Sequence, residues 1–206
     1  MVLDLAWLLG VLTLALLSPG PDFLLVVKNS MGGSRSRALG TVAGIATGLA
    51  LQTTLVSLGF AALSPQHVRT VQLVGVALLG WIGLRALLAR GDSSGAGSVA
   101  TPPPARSAAG NGYLEGFLCN ATNPKAFVFF VGLFAQVLGP ERPAAWRVIL
   151  PIVVVIHGLI CWTLIVLALQ SPLVARRLGR AQHWLPRVFG GALVVVAAVV
   201  LVEALR

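Results

Sequence analysis

The apolar run from Leu5 to Val27 is long enough to cross a bilayer, and Ser18-Pro19-Gly20-Pro21-Asp22 breaks it internally. The two prolines remove backbone donors and clash with the preceding turn, and Gly20 loosens the helix further. In hydrocarbon every backbone polar group needs a partner, so broken backbone survives there only when buried in protein or lining a cavity. A carboxylate at the same depth marks an expected functional site. The stretch therefore excludes a lone lipid-facing helix and requires neighbours that enclose it.

Those neighbours are present. Of 206 residues, 57% are hydrophobic and 10% charged, with a mean hydropathy of +0.90. That balance excludes an ordinary soluble domain and fits an all-α polytopic membrane protein, read here as one membrane domain over residues 1–206. Six transmembrane helices are expected: Leu5–Val27, Leu39–Leu63, Thr70–Ala89, Tyr113–Leu138, Val148–Leu169 and Leu185–Leu205. The last is frayed by Pro186, Arg187 and Glu203. The net charge of +9 lies between the apolar runs, as in cytoplasmic loops, and does not imply a nucleic-acid partner. Lys28, Arg35, Arg37, Arg85, Arg90, Arg106, Arg176, Arg177, Arg180 and Arg187 share one side; Arg69, Arg142, Arg147 and Arg206 share the other. The asymmetry puts both termini outside. The only early charge is Asp4, so the first run is expected to be a retained span and not a cleaved leader. Cys119 and Cys161 lie within apolar runs and read as packing thiols, without a disulfide framework or metal site.

Residues 90–112 are rich in Gly, Ser and Pro, with no apolar face, and read as a flexible cytoplasmic linker between a first half (1–89) and a second (113–206). The halves look related. Gly20-Pro21-Asp22 aligns with Asn123-Pro124-Lys125, Gly48 with Gly158, Thr53 with Thr163, and Gly75 with Gly190. Three spans is an odd number, so the repeats must be inverted in the membrane. Two inverted three-helix repeats with broken helices one and four form a secondary-transporter plan, with the site between the breaks.

Lys125 is one of only two lysines, and it lies inside a span. A charge there costs about 2.5–3.5 kcal/mol on insertion scales and needs compensation. Thr122 or Asn123 can cap a half-helix that starts at Pro124, leaving Lys125 near its positive end, where an anion is wanted. Asp22 or a substrate carboxylate would supply it; a purely structural ion pair is the plainer alternative. Asp22 itself falls in the first turn of the half-helix from Pro21, where its charge is favoured. Gly40, Gly44 and Gly48 form a small-residue stripe suited to internal packing, with a homodimer seam as the alternative. Gln52 continues that face and could line a path or bond a neighbouring backbone. His157 could relay protons or donate to a carbonyl; Trp162 and Thr163 lie in the same span. Trp7, Trp146 and Trp184 fall near span ends, as interfacial anchors do. No Gly-rich phosphate loop or clustered ligand set is present, so neither an ATPase motor nor a metal enzyme is expected.

SPGPDFLLVVKNSMGGSRSRALGTVAGIATGLALQTTLVSLG resembles the opening of the LysE/RhtB family of amino-acid exporters. VQLVGVALLGWIGLRALLA is similar to that family's third span, and GFLCNATNPKAFVFFVGLFAQ to its fourth, with the Asn-Pro-Lys element at Asn123, Pro124 and Lys125. The resemblance implies efflux of a small amino acid or derivative across the bacterial inner membrane, driven by an ion gradient. The expected coupling ion is H⁺, and no cofactor or catalytic residue is expected. The partners are an amino-acid-like substrate and membrane lipid. Candidate binding or coupling residues are Ser18, Pro19, Gly20, Pro21, Asp22, Gln52, Asn120, Asn123, Pro124, Lys125 and His157. A passive channel is one rival. A membrane thiol-disulfide carrier is another, but it would need a cysteine in each half, and the first half has none.

Overall fold

The computed structural model describes residues 2–18, 20–32, 34–63, 65–88, 112–138, 143–171, 173–174 and 184–204. Pro19, almost all of the 90–112 linker, Arg142, Arg176, Arg177 and Arg180 lie outside the described residues. Eight helices are named among those described: α1 (Val2–Leu17), α2 (Pro21–Gly32), α3 (Arg35–Ala62), α4 (Pro65–Leu88), α5 (Gly112–Ala121), α6 (Pro124–Val137), α7 (Trp146–Leu169) and α8 (Leu185–Ala204).

Both expected breaks are present. The first apolar run bends by 64° between α1 and α2, and the fourth by 57° between α5 and α6. The local chemistry explains each. Ser18 N–H closes α1 on the Leu14 carbonyl at 3.0 Å, and α2 restarts at Pro21 with Asp22 in its first turn. At the second break, the Asn123 side-chain oxygen accepts from the N–H of Lys125 at 3.1 Å and of Ala126 at 3.3 Å, with Pro124 opening the helix. By length and composition α3, the Thr70–Leu88 part of α4 and α7 can each cross a membrane, and the count reaches five if each bent pair is one span. Helix α8 occupies the sixth apolar run and lies along α4.

Helix α3 is the hub, in contact with α2, α5, α6 and α7. Its glycine stripe faces α5. A Cβ at Gly44 would overlap the Tyr113 carbonyl and Phe117 N, and one at Gly48 would sit 2.7 Å from Asn120 Oδ1. Helix α5 replies with Gly112 and Gly116, whose added Cβ atoms would strike the carbonyls of Arg37 and Thr41. Glycines on both sides bring the two backbones together, so this stripe is used inside the chain and is not open as a dimer seam.

The contacts match the expected repeat only in part. Helix α3 meets α5 and α6, while α7, its expected counterpart, meets α1 and α2; α3 also meets α7, and α4 meets α8. The third spans depart from it: α4 lies along α6, whereas α8 lies along α1. On α7, Ile149, Ile152, Ile156, Ile160 and Leu164 are exposed along one helical face, the surface a span presents to acyl chains. Val154, Trp162 and Val166 of the same helix are buried in the core.

Candidate functional site

The two breaks meet across a cavity of about 70 Å³, room for roughly five waters at about 10–15 Å³ each. Its polar end is made by Ser18, Gly20, Asp22, Asn120, Asn123 and Lys125; aromatic rings of Phe23, Phe129, Phe130 and Trp162 form much of the remaining wall. His157 also lines it.

The charges are held differently from the expected direct pair. Among the described residues no ion pair joins Asp22 to Lys125. Asp22 Oδ2 accepts from Asn120 Nδ2 at 2.9 Å and Asn123 Nδ2 at 3.2 Å, while Oδ1 is buried with no hydrogen-bond partner. Lys125 Nζ donates to Ser18 Oγ at 3.0 Å, and a methyl added at Gly20 would lie 3.6 Å from that ammonium. The reason is reach. Asn120 ends α5 and Asn123 caps α6, so both amides face the first turn of α2, while the end of α1 meets Lys125. Each half thus holds the other's charge through neutral groups. The N–H groups of Lys125 and Ala126 are capped by Asn123, one of the two caps expected.

Gln52 does not line the cavity. It is 3% exposed, and its amide donates to the carbonyls of Asn120 at 2.7 Å and Asn123 at 3.3 Å. Each carbonyl also accepts one backbone N–H, from Asn123 at 2.9 Å and from Phe127 at 3.2 Å, so Gln52 adds a second donor and supports the break from behind. Pro21 and Pro124 shape the breaks without lining the cavity, and Pro19 lies outside the described residues. His157 Nε2 is 3.0 Å from Thr13 Oγ1, whose own hydroxyl donates to the Leu9 carbonyl at 2.8 Å. The ring therefore donates to Thr13, with Cys161 Sγ 3.5 Å from the same nitrogen. Cys119 lies beside Asp22.

A second polar cluster was not foreseen. Arg37 Nη2 pairs with Glu115 Oε1 at 2.6 Å, and Asn29 Nδ2 donates to Glu115 Oε2 at 3.1 Å and Thr41 Oγ1 at 2.8 Å. It ties α2 and α3 of the first half to α5 of the second. The available signal was Glu115 itself, one of six acidic residues in the chain, at the head of an apolar run. The aromatic wall was also missed, because buried and lipid-facing rings look alike in an apolar run. Trp7 and Trp184 are exposed, as anchors would be, while Trp146 is half-buried.

The family model of the LysE type translocators matches residues 13–204. The chain belongs to this family. It is 30% identical over 185 residues, covering 87% of both chains, to proteins named threonine efflux protein in Salmonella typhi and in Escherichia coli K12. A homoserine/homoserine lactone efflux protein of Salmonella typhimurium is 29% identical over 134 residues, covering 64% of this chain and 63% of that one. No solved structure matches. In this LysE type translocator, then, the cavity lies where two broken helices of a membrane transport protein meet.

Proposed function

We propose that this translocator exports a small amino acid or amino-acid derivative across the bacterial cytoplasmic membrane, in exchange for protons, from a site between its two helix breaks. The observation that carries the reading is the buried, unpartnered Asp22 Oδ1 beside Lys125 in one cavity. A zwitterion offers the matching groups. Its ammonium would take Asp22 Oδ1, a buried acceptor without a partner; its carboxylate would take Lys125 Nζ and Ser18 Oγ. A proton arriving on Asp22 would weaken its hold on the ammonium and release the substrate outward. The threonine and homoserine efflux relatives support this substrate class.

In this reading α8 is the sixth span, the halves are inverted repeats, and both termini face outward. Asn29, Arg37, Thr41 and Glu115 then lie at the cytoplasmic end of the path and must part for substrate to enter. The two bent helices are the elements that rock. The test is an intracellular metabolite profile of an overexpressing strain against an empty-vector strain, with and without an uncoupler. Depletion of a small amino acid that the uncoupler reverses is expected. Depletion that persists with the gradient collapsed would indicate a passive channel instead.

A further inference from the structure

The two breaks are supported unequally. The register that sets Gly48 on Gly158 and Thr53 on Thr163 also sets Gln52 on Trp162. Gln52 commits its donor to the carbonyls of the second break. Trp162, its counterpart on α7, is 2% exposed, and its indole Nε1 has no hydrogen-bond partner. The ring lies against Phe23, with centroids 6.4 Å apart, and forms part of the cavity wall. An indole N–H only donates, and buried donors are rarely left unpaired without a functional reason. His157, on the same helix, cannot take this role, since its Nε2 faces Thr13.

We infer that Trp162 Nε1–H reads an oxygen on the substrate's side chain. The inference rests on the proposed export reading. There the carboxylate is matched by Lys125 and Ser18, and the ammonium by Asp22. The unmatched protein group is a donor, and the unmatched part of the substrate is its side chain. A hydroxyl or carbonyl oxygen satisfies the indole; an apolar side chain of equal size leaves it unpaired. A site built around a hydrogen bond rejects the analogue lacking it more strongly than an apolar pocket rejects a change of size.

Threonine and valine are near-isosteres that differ in this oxygen. Proteoliposomes of the full chain, preloaded with one or the other in labelled form, would be followed for downhill efflux, which needs no imposed proton gradient. Threonine should leave faster than valine by about tenfold, the worth of one good hydrogen bond. Trp162→Phe keeps a ring in the wall and removes the donor, so the threonine-to-valine ratio should fall to near one. Equal rates in the unaltered protein would overturn the inference and leave the export reading standing. So would an unchanged ratio in a Trp162→Phe protein that still transports. If neither compound leaves the unaltered protein while another small amino acid does, the side-chain oxygen is not what the site selects. If no amino acid leaves, the export reading itself falls.

Discussion

Asp22 carries the strongest demand of any side chain in the fold. Its carboxylate has one oxygen held by two amides of the other half and one left open. Asp22→Asn keeps the size but removes the charge and turns one acceptor into a donor. Driven export should be lost while the protein still inserts, with transport rate and membrane content measured together. Lys125→Arg should fail as well, because a planar guanidinium does not replace a compact ammonium between Ser18 and Gly20. Gln52→Leu tests a different role. It removes the second, side-chain donor from the carbonyls of Asn120 and Asn123, which keep one backbone N–H each, a loss of about 0.5–1.5 kcal/mol. A lower melting temperature in detergent should register it. Asp22, Asn123 and Lys125 were legible as candidate residues at the breaks because proline, glycine and capping chemistry are local. Their partners were not. Whether Lys125 meets Asp22 or Ser18 depends on the angle between two bent helices, and no residue spacing encodes that angle. Gln52 was left between two roles for the same reason.

At the scale of the element, α3 and α5 make the closest helix contact, and their glycines permit it. Gly44→Leu should push α5 away, since even a Cβ would overlap the Tyr113 carbonyl; loss of monodisperse protein on size exclusion would register it. Gly59 is the control on the same helix. A Cβ there meets nothing within 4 Å, so Gly59→Ala should be neutral or stabilising by up to about 1 kcal/mol. The stripe at Gly40, Gly44 and Gly48 was visible as a packing face, but its partner was not, because small-residue patterns name no neighbour. Gly112 and Gly116, which complete the seam, sit where the linker gives way to a span and carried no separate signal. The Arg37–Glu115 pair escaped for a related reason. It joins residues far apart in sequence that only this seam brings together.

For the whole molecule, the proposed inverted repeat makes two further demands. A reporter fused after Arg206 should behave as periplasmic and one within residues 93–109 as cytoplasmic; the opposite pattern would remove the orientation on which the inversion rests. The all-helical class and the two breaks were readable from length, apolarity and proline placement, since a bilayer permits few alternatives. The packing of α4 on α6 and of α8 on α1 was not, because apolar spans match many neighbours equally well. The central claim is that Asp22, between the breaks, couples export to the proton gradient. The most direct measurement compares uphill export, in proteoliposomes under an imposed pH gradient, by the unaltered chain and by Asp22→Asn at equal protein content. The account predicts accumulation against the substrate gradient by the first and none by the second. Accumulation by Asp22→Asn at the parent rate would contradict it and move the coupling elsewhere, with His157 the next residue to test.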